Sequence, residues 1–229
     1  MKKMLIVLAL LTTVISCGKK QNTTEYVYAA SMHRDYATYY YKGNFPVADF
    51  TFYKGVDAFV RMDSMCNVSR MYITRYIIAE ESSIIADLEN AFAYAEIGNC
   101  YEEMLITGFL QGDTIENTNN LEKPFSLIAD FQRTGKYSSL EYYAESQIGT
   151  DDSSAVRIYR LIANSILDKE PKKAFELAEK ARHIDSAYGW TLGLSRDLEI
   201  MIKSNAKQGK ETSDLIERKK LIDAKLTKK

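Results

Sequence analysis

Apolar and polar positions along most of this chain recur three and four residues apart, the period of a half-buried helix. The clearest stretch lies in the second half. Val156, Tyr159, Ile162, Ala163 and Ile166 fall on one stripe and predict a helix from about Ser154 to Leu167. Asp168-Lys169-Glu170 breaks it. Pro171 then suits the first position of a second helix, where its missing N–H leaves nothing unsatisfied. In that helix Ala174, Ala178 and Ala181 are spaced four and three, a smooth face that lets a partner helix come close. Ile184-Asp185-Ser186 closes the unit, and Ala187-Tyr188-Gly189-Trp190 begins the next helix. Earlier, Ile84 to Leu88 with Phe92, Ala95 and Ile97 predicts another amphipathic helix, with Ser82 and Ser83 as its caps. Gly98-Asn99-Cys100-Tyr101 turns the chain into Glu102 to Leu110. Gly112 to Asn120 is polar and reads as a loop. Roughly ten helices in pairs are expected.

The pattern also repeats. Leu127-Ile128-Ala129-Asp130 returns as Leu161-Ile162-Ala163-Asn164, a shift of 34 residues. At the same shift Ala144 maps to Ala178, Glu145 to Glu179 and Asp151 to Asp185. Gly135 and Tyr137, then Tyr39 to Ala48 with its Lys42-Gly43-Asn44 turn, carry the same order of aromatic, glycine and small residue. In period and in these residues the chain resembles the tetratricopeptide repeats, whose units are helix-turn-helix pairs. Leu140 and Gln147 depart from the family's small residues and imply a bulkier crossing. The resemblance implies an all-α fold, a right-handed stack of antiparallel helix pairs (an α–α superhelix) with a C-terminal capping helix. It also implies a concave groove lined by the first helix of each pair. Phe125, Gln132, Arg133, Tyr159 and Arg160 would stand in that groove, facing a protein or peptide partner.

One stretch departs from the helical period. Behind Lys2-Lys3, Met4 to Leu11 is an unbroken apolar run, too short for the roughly 20 residues of a membrane-spanning helix. A charged start with a short apolar core reads as an export signal. Val14-Ile15-Ser16-Cys17 ends it and resembles the bacterial lipobox. That resemblance implies removal of residues 1–16 and acylation of Cys17, which then holds the chain to membrane lipid. It places the protein in the bacterial cell envelope. Gly18, which is not the aspartate of inner-membrane retention, favours the outer membrane. Residues 17–24 are polar and read as a tether that reaches at most about 25 Å. Residues 25–210 form the repeat domain, and residues 211–229 a basic capping helix.

Composition supports helix: the 229 residues include only 11 glycines and 3 prolines. A formal charge of -1 gives no footprint for nucleic acid. With Cys17 committed to lipid, Cys66 and Cys100 remain in a compartment that permits disulfides. Two readings stand for them, a disulfide or two small buried side chains. Tyr26 to Tyr53 holds seven tyrosines and three phenylalanines. They read as core between paired helices or as a groove for a peptide or glycan. Chemistry finds little purchase. His33 and His183 have no carboxylate or cysteine at ligand spacing, so no metal and no cofactor is implied. Ser204-Asn205-Ala206-Lys207 matches the Ser-x-x-Lys of penicillin-binding enzymes, but no Lys-Thr-Gly follows it. No catalytic constellation is found. The expected function is that of a membrane-anchored adaptor, with a ligand-binding lipoprotein as the alternative and a cell-wall enzyme last.

Overall fold

The computed structural model describes residues 23–80, 84–113 and 118–226. The export signal, Cys17 and the expected caps Ser82 and Ser83 lie outside the described residues. Those described form eleven α-helices and one 3-10 turn, Thr118–Asn120, with no strand among them. The helices are α1 (Thr23–Tyr41), α2 (Phe45–Arg61), α3 (Met65–Ala79), α4 (Ile85–Gly98) and α5 (Tyr101–Gln111). After the turn come α6 (Phe125–Thr134), α7 (Ser138–Gln147), α8 (Asp152–Ile166), α9 (Pro171–Tyr188), α10 (Thr191–Lys207) and α11 (Ser213–Leu226). Neighbours in sequence pack on one another from α1 to α5 and again from α6 to α11. The fold is an all-α stack of adjacent helix pairs. Short turns force neighbours to run antiparallel. Thus Tyr26, early in α1, meets Phe59, late in α2, with ring centroids 6.0 Å apart.

Local chemistry sets the helix ends. Asp151 caps α8, its carboxylate accepting from the Ser154 N–H at 3.0 Å, a bond worth about 1 kcal/mol. Pro171 stands in the first turn of α9. Ala174, Ala178 and Ala181 are fully buried, so α8 and α10 both lie close against α9. The turn expected at residues 184–186 does not form there. Helix α9 continues to Tyr188 because Asp185 points inward to Arg160, and Gly189 ends it with φ 63°. The left-handed conformation at that point suits a residue without a Cβ.

The buried apolar residues fall into two clusters. The larger runs through α1–α3 and α6–α10. Tyr36, Tyr41 and Phe52 belong to it, which gives those aromatics the core role, whereas Tyr28, Phe50 and Tyr53 are exposed. The smaller gathers Ile73, Ala91, Ile106, Leu121, Phe125 and Ala129.

The two ends of the stack also meet. Tyr41, the last residue of α1, lies 5.2 Å from the Trp190 ring just before α10. Arg196 of α10 donates to the carbonyls of Ile78 and Ala79 at the end of α3, at 3.2 and 3.1 Å. Helix α11 packs along α10, and Asp223 accepts from the Ser195 hydroxyl. Leu226, at the tip of α11, sits against Gly43 in the α1–α2 turn, where a Cβ would strike it. The expected capping helix therefore rests on both ends of the chain.

Candidate functional site

A cleft of about 730 Å³ opens between α1, α3, α5, α6 and α8. That volume falls in the range of small-molecule sites. Helical spacing supplies its walls. Ile73 and Ile77, four apart on α3, face Phe109 and Leu110 of α5, Ile128 of α6 and Leu161 of α8. The smaller apolar cluster thus borders open space through Ile73, Ile106 and Phe125.

The polar lining is concentrated around three groups. His33 of α1 shares a hydrogen with the Thr74 hydroxyl of α3 at 2.8 Å. Burial, then the charges of Arg157, Arg34 and Arg70, lower the His33 pKa to about 4, so the ring is neutral at pH 7. Arg70 reaches Glu103 at 2.5 Å, Glu102 at 2.8 Å and Glu122 at 3.8 Å. Burial and a hydrogen bond with Glu102 push the Glu122 carboxyl up to about 7. Arg157 of α8 donates to its own helix, to the Ser153 carbonyl at 3.1 Å.

A third cation, Arg160, closes the wall behind the cleft. It is 1 % exposed and binds Asp197 at 2.8 Å, Glu80 at 3.1 Å, and Asp185. Arg196 also meets Glu80, at 3.2 Å. Burial raises the carboxyl of Asp185 and lifts that of Asp197 well above its ordinary range, and Asp197 shares a hydrogen bond with Asp185. Two cations, Arg160 and Arg196, thus face three carboxylates, Glu80, Asp185 and Asp197. Gly193 passes so near that a Cβ there would collide with the Asp185 carboxylate.

Of the five residues expected in a groove, Phe125 and Gln132 line this cleft. Arg160 reaches it too, but its guanidinium is occupied by carboxylates. Tyr159 is a correction: it is wholly buried, with Lys180 of α9 5.4 Å from its ring, because its stripe on α8 packs inward. Arg133 is exposed, does not line the cleft, and pairs with Asp130 one turn back at 2.6 Å. Cys66 and Cys100 are joined by a disulfide that ties the start of α3 to the α4–α5 turn. Glu103 lies beside those two sulfurs, but a disulfide offers no thiolate to a metal. His183 is exposed on α9.

Sequence reasoning missed Thr74, Arg70, Arg157, Asp185 and Asp197, and considered His33 only as a metal ligand. One signal was present. Asp151 and Asp185 occupy equivalent repeat positions, yet one caps a helix and the other is buried against an arginine. Comparison with known proteins returned no matching family model, no similar curated protein and no similar solved structure. The fold and the cleft therefore define a class only: an all-helical stack of pairs with an internal, largely apolar cleft.

Proposed function

We propose that this chain is a lipid-anchored protein of the bacterial envelope that holds a ligand with an apolar part in the cleft between α1, α3, α5, α6 and α8. The single observation that carries the reading is the cleft itself, about 730 Å³ of space walled by isoleucine, leucine and phenylalanine. Apolar surface left against open space in a folded core is the usual mark of a site. The adaptor reading loses ground for a physical reason. Of its five groove residues Tyr159 is buried, the Arg160 guanidinium is held by carboxylates, and Arg133 lies outside the cleft. The anchor rests on the lipobox resemblance at Val14 to Cys17. The Cys66–Cys100 disulfide suits an oxidising compartment such as the envelope. No helix among the described residues is long and apolar enough to cross a membrane.

Two measurements test the two halves. The neutral dye Nile red, titrated into the full chain, should brighten on saturating one site. Ile106→Trp, which fills the cleft, should abolish that signal while the circular dichroism stays helical. Binding that ignores Ile106→Trp would put the dye elsewhere and remove the reading. For the anchor, Cys17→Ala should move the protein from the membrane fraction to the soluble one; persistence in the membrane would exclude lipid anchoring at that residue.

A further inference from the structure

Among the described residues, one charge on the cleft lining has no ion pair. An arginine side chain stays protonated in any protein setting, so a buried or half-buried guanidinium calls for an anion. Arg70 has three glutamates around it, and Arg160 has two aspartates and a glutamate. Arg157, partly buried on the lining of the same cleft, differs from both. Its one hydrogen bond is to a carbonyl of its own helix, and no carboxylate among the described residues lies within 4.0 Å of it. Asp151, on the same lining, turns its Oδ1 to the Ser154 N–H at 3.0 Å and the Ser153 hydroxyl at 2.8 Å and forms no ion pair with Arg157. His33 cannot answer the charge either, since its ring is neutral and engaged with Thr74. Opposite these groups stand the apolar walls, with Ile73, Ile106 and Phe125 at the edge of a buried cluster. A guanidinium with no ion pair among the described residues and a long apolar surface in one cavity are complementary to one kind of molecule.

We infer that the cleft takes a long-chain carboxylate, its apolar tail along α3, α5 and α6 and its head on Arg157. This rests on the reading of the cleft as a ligand site and adds the ligand's chemical class. A carboxylate matches the planar fork of a guanidinium with two parallel hydrogen bonds. Each methylene moved from water onto the walls adds about 0.8 kcal/mol, so the tail supplies affinity and the head supplies selectivity. A sugar would gain little from these walls.

Calorimetric titration of the full chain with dodecanoate and with dodecanol, both below their micelle concentrations, separates head from tail. Dodecanoate should bind about tenfold more tightly than dodecanol, the worth of one charge-assisted pair. Arg157→Gln should erase that preference and leave dodecanol unchanged. Equal affinity of the unaltered protein for acid and alcohol overturns the inference without recourse to any variant. A preference that survives Arg157→Gln overturns it as well. Nile red bound at the site sensitive to Ile106→Trp, with no binding of dodecanoate, also overturns it while the ligand-site reading stands. Loss of the Nile red site removes both.

Discussion

Arg160 is enclosed together with Asp185 and Asp197, and Glu80 and the Tyr41 ring, 5.6 Å from its guanidinium, complete its surroundings among the described residues. Removing one partner from such a group strands charge, which costs roughly 3–5 kcal/mol, whereas the intact pair itself adds little net stability. Arg160→Met should therefore lower unfolding stability in urea by that amount. Burial lifts the Asp197 carboxyl well above its ordinary range, so Asp197→Asn, which keeps the shape without the charge, should cost less than Arg160→Met. Equal losses in the two variants would show that the Asp197 charge matters as much as that of Arg160. His33 gives a second prediction, with its sign set by burial. Its folded pKa, about 4, lies below the 6.5 of an ordinary histidine. Between those values the unfolded chain binds the extra proton and the folded chain does not, so stability falls as pH drops from 6.5 toward 4. Arg34 on the same helix, Arg70 on α3 and Arg157 on α8 all oppose protonation, and Asp151 before α8 favours it. The loss attributable to His33 is at most about 3 kcal/mol. Urea midpoints at pH 7 and pH 5 should converge in His33→Gln relative to the unaltered protein. An unchanged difference would assign the acid sensitivity to other groups.

Among the elements, α3 is the one fastened most ways, and the disulfide is the strongest of its ties. Cys66 and Cys100 are 34 residues apart, and closing a loop of that length restricts the unfolded chain by about 3–4 kcal/mol. Replacing both cysteines with serine should lower the denaturation midpoint accordingly, and a reductant should do the same to the unaltered protein but not to the variant. The helices themselves were legible because their signals are local. Asp151, Pro171 and the apolar stripe from Val156 to Ile166 place α8 and α9 within two residues of where they start. The 34-residue shift also lays α6 over the latter part of α8 and α7 over α9. The cleft was not legible, because its partners lie far apart in sequence and look ordinary alone. Arg70 meets Glu102 and Glu103 from 32 and 33 residues away, and Arg160 meets Glu80 across 80. The resemblance to tetratricopeptide repeats sets Tyr159 and Arg160 in a groove. In three dimensions they stand at the centre of a helix packed on both sides, and the arginine is buried only because distant acids come to it.

At the scale of the whole molecule, stability should be shared between the two ends of the chain. In an open stack each unit touches only its neighbours, and a local weakness stays local. Here α10 lies against α1, and Arg196 holds the end of α3. Trp190 is the hinge of that closure, stacked on Tyr188 at 4.8 Å and packed on Tyr41 at 5.2 Å while 5 % exposed. Truncating a buried tryptophan costs about 3–5 kcal/mol. If the closure couples the ends, Trp190→Ala should speed amide hydrogen exchange in α1 and late α3 as well as in α9 and α10, although α1 is some 150 residues away in sequence. Faster exchange confined to α9–α11 would show that the ends are stable independently. The same variant reaches the cleft. His33 stands on α1, Thr74 on α3 and Arg157 on α8, the helices that the closure brings together. Loosening the closure should therefore weaken Nile red binding with no change to any residue that lines the cleft, so that the meeting of the two ends governs how well the site is formed.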